Sequence, residues 1–133
     1  MQKTRQGPDD DGGRQKRECI VERDDRGVAV ITLLGEHDMV AADEVREAIH
    51  FAASETPVVV DLSKVDFIDS TVVNTLVRAN NECNRPLVLQ VATSRSVRRI
   101  LEITGLTSVI PTADERDRAV GLALQARAHP AHD

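Results

Sequence analysis

The segment PVVVDLSKVDFIDSTVVNTLVRAN (residues 57–80) limits the architecture more than any other part of the chain. Its first seven residues, Pro57 to Ser63, form a continuous, β-branched apolar run. Such a run suits a strand buried on both faces. Beyond the short turn Asp69-Ser70-Thr71, the residues Val72, Val73, Leu76, Val77 and Ala79 recur at the spacing of a helix face. A buried strand running straight into a helix belongs to a sheet covered by helices.

The flanking sequence extends this pattern. ECIVERDD, starting at Glu18, reads as a short strand, and RDDRG as a turn. VAVITLLG (Val28 to Gly35) is a stronger strand, and the two should pair as an antiparallel hairpin. Ala41, Val45, Ala48, Ile49 and Ala52 then make an amphipathic stripe. PLVLQVA (Pro86 to Ala92) is another buried strand. TSRSVRRILEITGL is a helix opened by Thr93-Ser94 and closed at Gly105, where a left-handed cap costs little. TSVIP (residues 107–111) reads as an extended piece. TADERDRAVGLALQARA (residues 112–128) reads as a closing helix with acids in its first turn. The expected fold is α/β: one domain over residues 18–128, with a mixed sheet of about four or five strands flanked by about four helices. Residues 1–17, rich in Gly, Asp and basic residues, should form a disordered tail, and residues 129–133 a flexible C-terminus.

Composition narrows the function. The 133 residues suffice for one domain with a real core, and 41% of them are apolar. Aromatics make up 2%, with no Trp or Tyr, which argues against a base-stacking nucleic-acid binder. A net charge of −5 argues against general polyanion binding. The longest apolar run, Val28 to Leu34, falls well short of the roughly 20 residues that cross a membrane, and the N-terminus lacks the apolar middle of a signal peptide. A cytoplasmic protein is therefore expected. Cys19 and Cys83 form no CxxC pair, so reduced thiols are the default, with a redox-linked disulfide as the alternative.

The junction Asp69-Ser70-Thr71 is the candidate site. DFIDST resembles the D-x-D-x-T of acid-based phosphatases, but its acids are too far apart to share one metal, and no downstream Lys with paired acids follows. Nucleophilic catalysis by Ser70 needs a histidine base. His50 lies beside the stripe of the first helix, and His129 and His132 at the C-terminus make at best an adventitious metal binder. His37 alone, in the loop after the second strand, could approach. No Gly-x-Ser-x-Gly elbow, G-x-G-x-x-G loop or Walker loop is present. Arg95, Arg98 and Arg99 read as a solvated helix face, with a docking patch as the lesser alternative. Two readings of the junction remain. Asp69 or Ser70 caps the second helix, contributing about 1 kcal/mol. Alternatively, Ser70 is also presented to a kinase, since a first-turn serine can carry a phosphate near unpaired backbone N–H groups without unfolding the helix.

FIDST following VVVDLSKV resembles the STAS-domain anti-sigma factor antagonists of sporulation and general stress, whose motif is close to DLS-x-V-x-F-[IM]-DS-[ST]-G. LLGEHDMVAADEVREAI is similar to the L-x-G-E-L-D segment of that family and the helix after it. ATSRSVRRILEITGLTSVI is similar to its S-x-x-V-x-R-[IL]-[LF]-x-x-[ST]-G-L segment. The likeness spans residues 19–125. It implies a bacterial, non-catalytic protein without cofactor or metal that binds an anti-sigma factor, usually a serine-protein kinase of the GHKL ATPase type, and so frees a sigma factor. Phosphorylation of the first serine after the motif aspartate would block rebinding, and a phosphatase would reverse it. Carried over, the phosphoacceptor is Ser70. The partner-binding surface is Asp38, Asp69, Ser70, Thr71, Val72, Val73 and Asn74. Val72 and Asn74 stand where the family usually has glycine, and His37 replaces an apolar residue. The alternative is a STAS-type interaction module of a signalling scaffold or transport complex without a phosphorylation cycle.

Overall fold

A computed structural model describes residues 18–37, 39–83, 86–91 and 95–125, with Glu18, Glu36, His37 and residues 39–41 described by backbone alone. The expected tail, the C-terminus with His129 and His132, Asp38 and the Thr93-Ser94 cap lie outside the described residues.

The chain opens with the hairpin read from its sequence. Strands β1 (Glu18–Arg23) and β2 (Ala29–His37) pair antiparallel, from Glu18 opposite Leu34 to Arg23 opposite Ala29. The Asp24 N–H donates to the Val28 carbonyl and the Gly27 N–H to the Asp24 carbonyl, both at 2.8 Å. Gly27 has φ 88°, in the left-handed region where a side chain is strained. Helix α1 (Met39–Ala53) follows, burying Ala42, Val45, Ile49 and Ala52.

From β2 onward the sheet is parallel. β3 (Val58–Asp61) pairs with β2, β5 (Val88–Gln90) with β3, and β6 (Thr112–Ala113) with β5. The order is β1-β2-β3-β5-β6, with β4 (Val65–Ile68) pairing beside β2. Side-chain alternation along β3 divides the core. Val58 and Val60, continued by Leu62, join the larger cluster formed with α1, α2 (Ser70–Glu82), α3 (Arg95–Ile103) and the short α4 (Leu106–Val109). Val59 joins the smaller cluster under α5 (Arg116–Gln125), where Ala119, Val120 and Ala123 pack on Val28, Val30 and Val88. All four residues of β3 are buried, as the apolar run requires.

Two expectations need correction. The sheet has six strands because β4 forms between the Pro57–Ser63 run and the Asp69-Ser70-Thr71 turn, where no element was expected. It pairs with β2 through a register irregularity at Gly35/Glu36, where Gly35 has φ 80°. Its inner residues, Asp66 and Phe67, are both exposed, so no alternation marks it as a strand. The TSVIP segment is not extended. Gly105, at φ 77°, ends α3 and turns the chain into the single helical turn of α4, which closes with Ile110 N–H on the Leu106 carbonyl at 3.0 Å. Leu106 and Ile110, one turn apart, are both buried. The extended piece comes next, as β6, and α5 begins only at Arg116.

Cys19 and Cys83 are both free. Burial, with Glu44 nearby, pushes the Cys19 thiol up to about 11. Burial, with Glu82 nearby, also raises Cys83. Both shifts favour the neutral thiol over the thiolate.

Candidate partner-binding site

The turns that follow β3, β4, β5 and β6 all lie at the carboxyl end of the parallel strands. There Ile68, fully buried, anchors the end of β4 and hands the chain to Asp69, which is extended (φ −104°, ψ 175°). The Asp69 carboxylate accepts from the Val72 N–H at 3.1 Å, and its carbonyl accepts from the Val72 and Val73 N–H groups at 3.1 and 3.2 Å. Asp69 is thus the N-cap, and Ser70 is the first helical residue. Ser70 is exposed, and its hydroxyl makes no hydrogen bond to any described residue.

Helix α2 is held from beneath. Val72, Val73, Leu76 and Ala79 enter the large core cluster, and the buried Asn80 side chain accepts from the Leu87 N–H at 2.8 Å. Val72 and Val73, expected within the partner-binding surface, are 0% and 2% exposed, so their side chains belong to the core. The 3.6-residue period turns them inward and leaves Ser70 and Asn74 exposed on the outer stripe, with Thr71 half-buried between. Valine at 72 is therefore a core residue that fixes the first turn from below.

His50 is not arranged to serve Ser70. His50 sits on α1 with its Nε2 at 2.6 Å from Glu82 Oε1, at the far end of α2. That end lies roughly 18 Å along the helix from Ser70, at 1.5 Å per residue. The β2–β4 register sets His37 opposite Ile68, one residue before the cap. Arg95, Arg98 and Arg99 are exposed on α3, and Arg98 also donates to the Val91 carbonyl at 3.2 Å. Among the described residues no group of three His, Cys, Asp or Glu could hold a metal ion, and no helix is long and apolar enough to cross a membrane.

A second polar cluster at the same sheet end has no counterpart in the sequence reading. Thr32, Asp61 and Gln90 stand in one register across β2, β3 and β5, all buried and all on the α5 side. Arg116, at the start of α5, donates to Asp61 Oδ2 at 3.2 Å and to Gln90 Oε1 at 3.1 Å. The Ser63 N–H completes Asp61 at 2.8 Å. These partners come from three separate elements, so no local motif could have announced them.

The model of the STAS domain family matches residues 20–119 of this chain. The chain belongs to that family. Among solved structures, this STAS domain is similar to an anti-sigma factor antagonist from Mycobacterium paratuberculosis, with 28% identity over 83% of this chain and 96% of the other and a TM-score of 0.69. It shares its fold with the anti-sigma factor antagonist SpoIIAA in its unphosphorylated form, with 18% identity over 81% and 98% and a TM-score of 0.59. A third is the Bacillus cell fate determinant SpoIIAA in the phosphorylated form, with 21% identity over 79% and 98% and a TM-score of 0.56. No curated protein matches the STAS domain described here.

Proposed function

We propose that this STAS domain is an anti-sigma factor antagonist. Its Asp69–Asn74 segment binds an anti-sigma factor that is itself a serine-protein kinase of the GHKL type, and so frees a sigma factor. Phosphorylation of Ser70 by that kinase ends the interaction, and a phosphatase restores it. The domain acts by binding, without catalysis, in the cytoplasm.

The observation that carries this reading is the division of labour at the turn. Asp69 does the capping, so the exposed Ser70 hydroxyl is not committed to the fold. A phosphate there adds about two negative charges at the positive, N-terminal end of α2. It would alter a surface and leave the core untouched. Ser70, Thr71 and Asn74 supply the side chains a partner would meet, and Val72 and Val73 hold them in place from the core. Asp38, which lies outside the described residues, joins this reading by its place in the GEHD motif alone. The 28% identical mycobacterial antagonist supports the same reading.

The test is intact-mass spectrometry after incubation with ATP and candidate kinases from the same genome, with Ser70→Ala as the control. A single added phosphate that disappears in Ser70→Ala is the expected result. A stable complex with no phosphate under any kinase would instead make the domain a constitutive interaction module of a scaffold or transport complex.

A further inference from the structure

We propose that the open edge of β1 is a self-association surface through which two copies of this chain join their sheets. β1 stands at one end of the strand order, and among the described residues it pairs with β2 alone. The Asp24 N–H donates across the hairpin to Val28. Alternation in an antiparallel ladder then turns the N–H and C=O of Ile20 and Glu22 toward β2, and those of Cys19, Val21 and Arg23 outward. The strand carries no Pro, Lys or bulge, and its edge is guarded only by the charges of Glu18, Glu22 and Arg23. Ile20 and Val21 are 42% and 48% exposed. The opposite edge, β6, has only two residues.

Charge complementarity selects a second copy as the occupant. An antiparallel pair related by a two-fold axis normal to the sheet keeps each face on its own side, so odd positions meet odd positions. With the axis through Val21, Val21 faces its own copy and Cys19 faces the partner copy's Arg23. Arg23 is exposed and forms no ion pair with a described residue, and Glu44 on α1 is the carboxylate that bears on Cys19. One register therefore brings a cation that has no ion pair among the described residues to an exposed carboxylate, twice by symmetry. Moving the axis to Ile20 takes Arg23 away from Cys19 and sets position 22, a glutamate, opposite position 18, another glutamate.

The apolar surface agrees with the Val21 register. Phe51, 82% exposed on α1, lines a groove of about 190 Å³ with Val21, Ala29 and Ala52, and Glu22, Arg23 and Glu55 also line it. Pairing sets the two grooves on either side of the axis and covers both phenylalanines. Because strand direction reverses across the axis, the two Ser70 turns lie at opposite ends of the joined sheet, and each stays open to its own partner.

Sedimentation equilibrium of the full-length protein over a range of concentrations tests this. The expected mass approaches twice that of one chain as concentration rises. Val21→Lys, which sets two ammonium groups on the axis, should return it to a monomer whose melting curve matches that of the wild type at concentrations where the wild type is monomeric. Arg23→Glu and Glu44→Arg should each weaken the dimer, and the two combined should restore it. A wild-type protein monomeric at every concentration overturns the proposal, whether the edge is covered by residues 1–17 or reserved for another protein's strand. So does a dimer indifferent to Val21→Lys, or a double charge reversal that restores nothing.

Discussion

Asp61 and Asp69 occupy equivalent places, each at the carboxyl end of a strand and each accepting a hydrogen bond from a backbone N–H just downstream. Locally they are the same device. They differ in what the tertiary fold lays over them. Asp61 is 1% exposed, because α5 brings Arg116 across it and β5 brings Gln90 beside it. Asp69 is half-buried, and the Ser70 that follows it faces solvent. One aspartate is thus committed to joining α5 to the sheet, and the other leaves its neighbouring hydroxyl available. Cover by a distant element, rather than the aspartate itself, separates a structural turn from a candidate site.

Substitutions can break this contrast at several levels. The largest effect is expected beneath the exposed turn. Val72→Gly removes a fully buried side chain and adds the helix cost of glycine, and should cost about 3 kcal/mol in urea unfolding. A small loss would show that the first turn of α2 does not rest on the core.

At the covered turn, Arg116→Met leaves the Asp61 carboxylate buried with the Ser63 N–H but without its cation. Removing one member of a fully buried pair costs roughly 3–5 kcal/mol. Arg116 is 40% exposed, so water softens the loss, and about 2 kcal/mol is expected from the same titration. Parity with wild type would mean that Asp61 is served by its backbone donor alone.

At the exposed turn, Asp69→Ala should cost about 1 kcal/mol and Asp69→Asn almost nothing, since asparagine caps equally well. Thermal melts of both variants would separate capping from charge. The smallest change should come from Ser70. Both Ser70→Ala and Ser70→Asp should stay within about 0.5 kcal/mol of wild type. Ser70→Asp should nevertheless abolish capture of the anti-sigma partner in a pull-down. If Ser70→Asp unfolds the domain, the serine is structural and the contrast with Asp61 fails.

Much of this was legible because it is local. The β3 run, the stripes of α1 and α2, the Asp69 cap and the left-handed Gly105 each depend on residues within a turn or two of one another. The Ser70 position was legible too, as a polar residue between a cap and an apolar stripe. β4 was not, because its two exposed inner residues follow a register shift set by Gly35 on another strand. The inward direction of Val72 and Val73 is present in the helical period, which places them on one stripe with Leu76 and Ala79.

The sequence by itself determined most of the strands and helices and narrowed the cap of α2 to Asp69 or Ser70, since periodicity and capping act over a few residues. Only the tertiary structure decided which polar groups are covered. Arg116 reaches Asp61 across 55 positions of chain and Gln90 across 26. The outward direction of Cys19, Val21 and Arg23 follows from the phase of the β1–β2 ladder. Burial and open edges are properties of what packs against a segment, and no short stretch of residues carries that information.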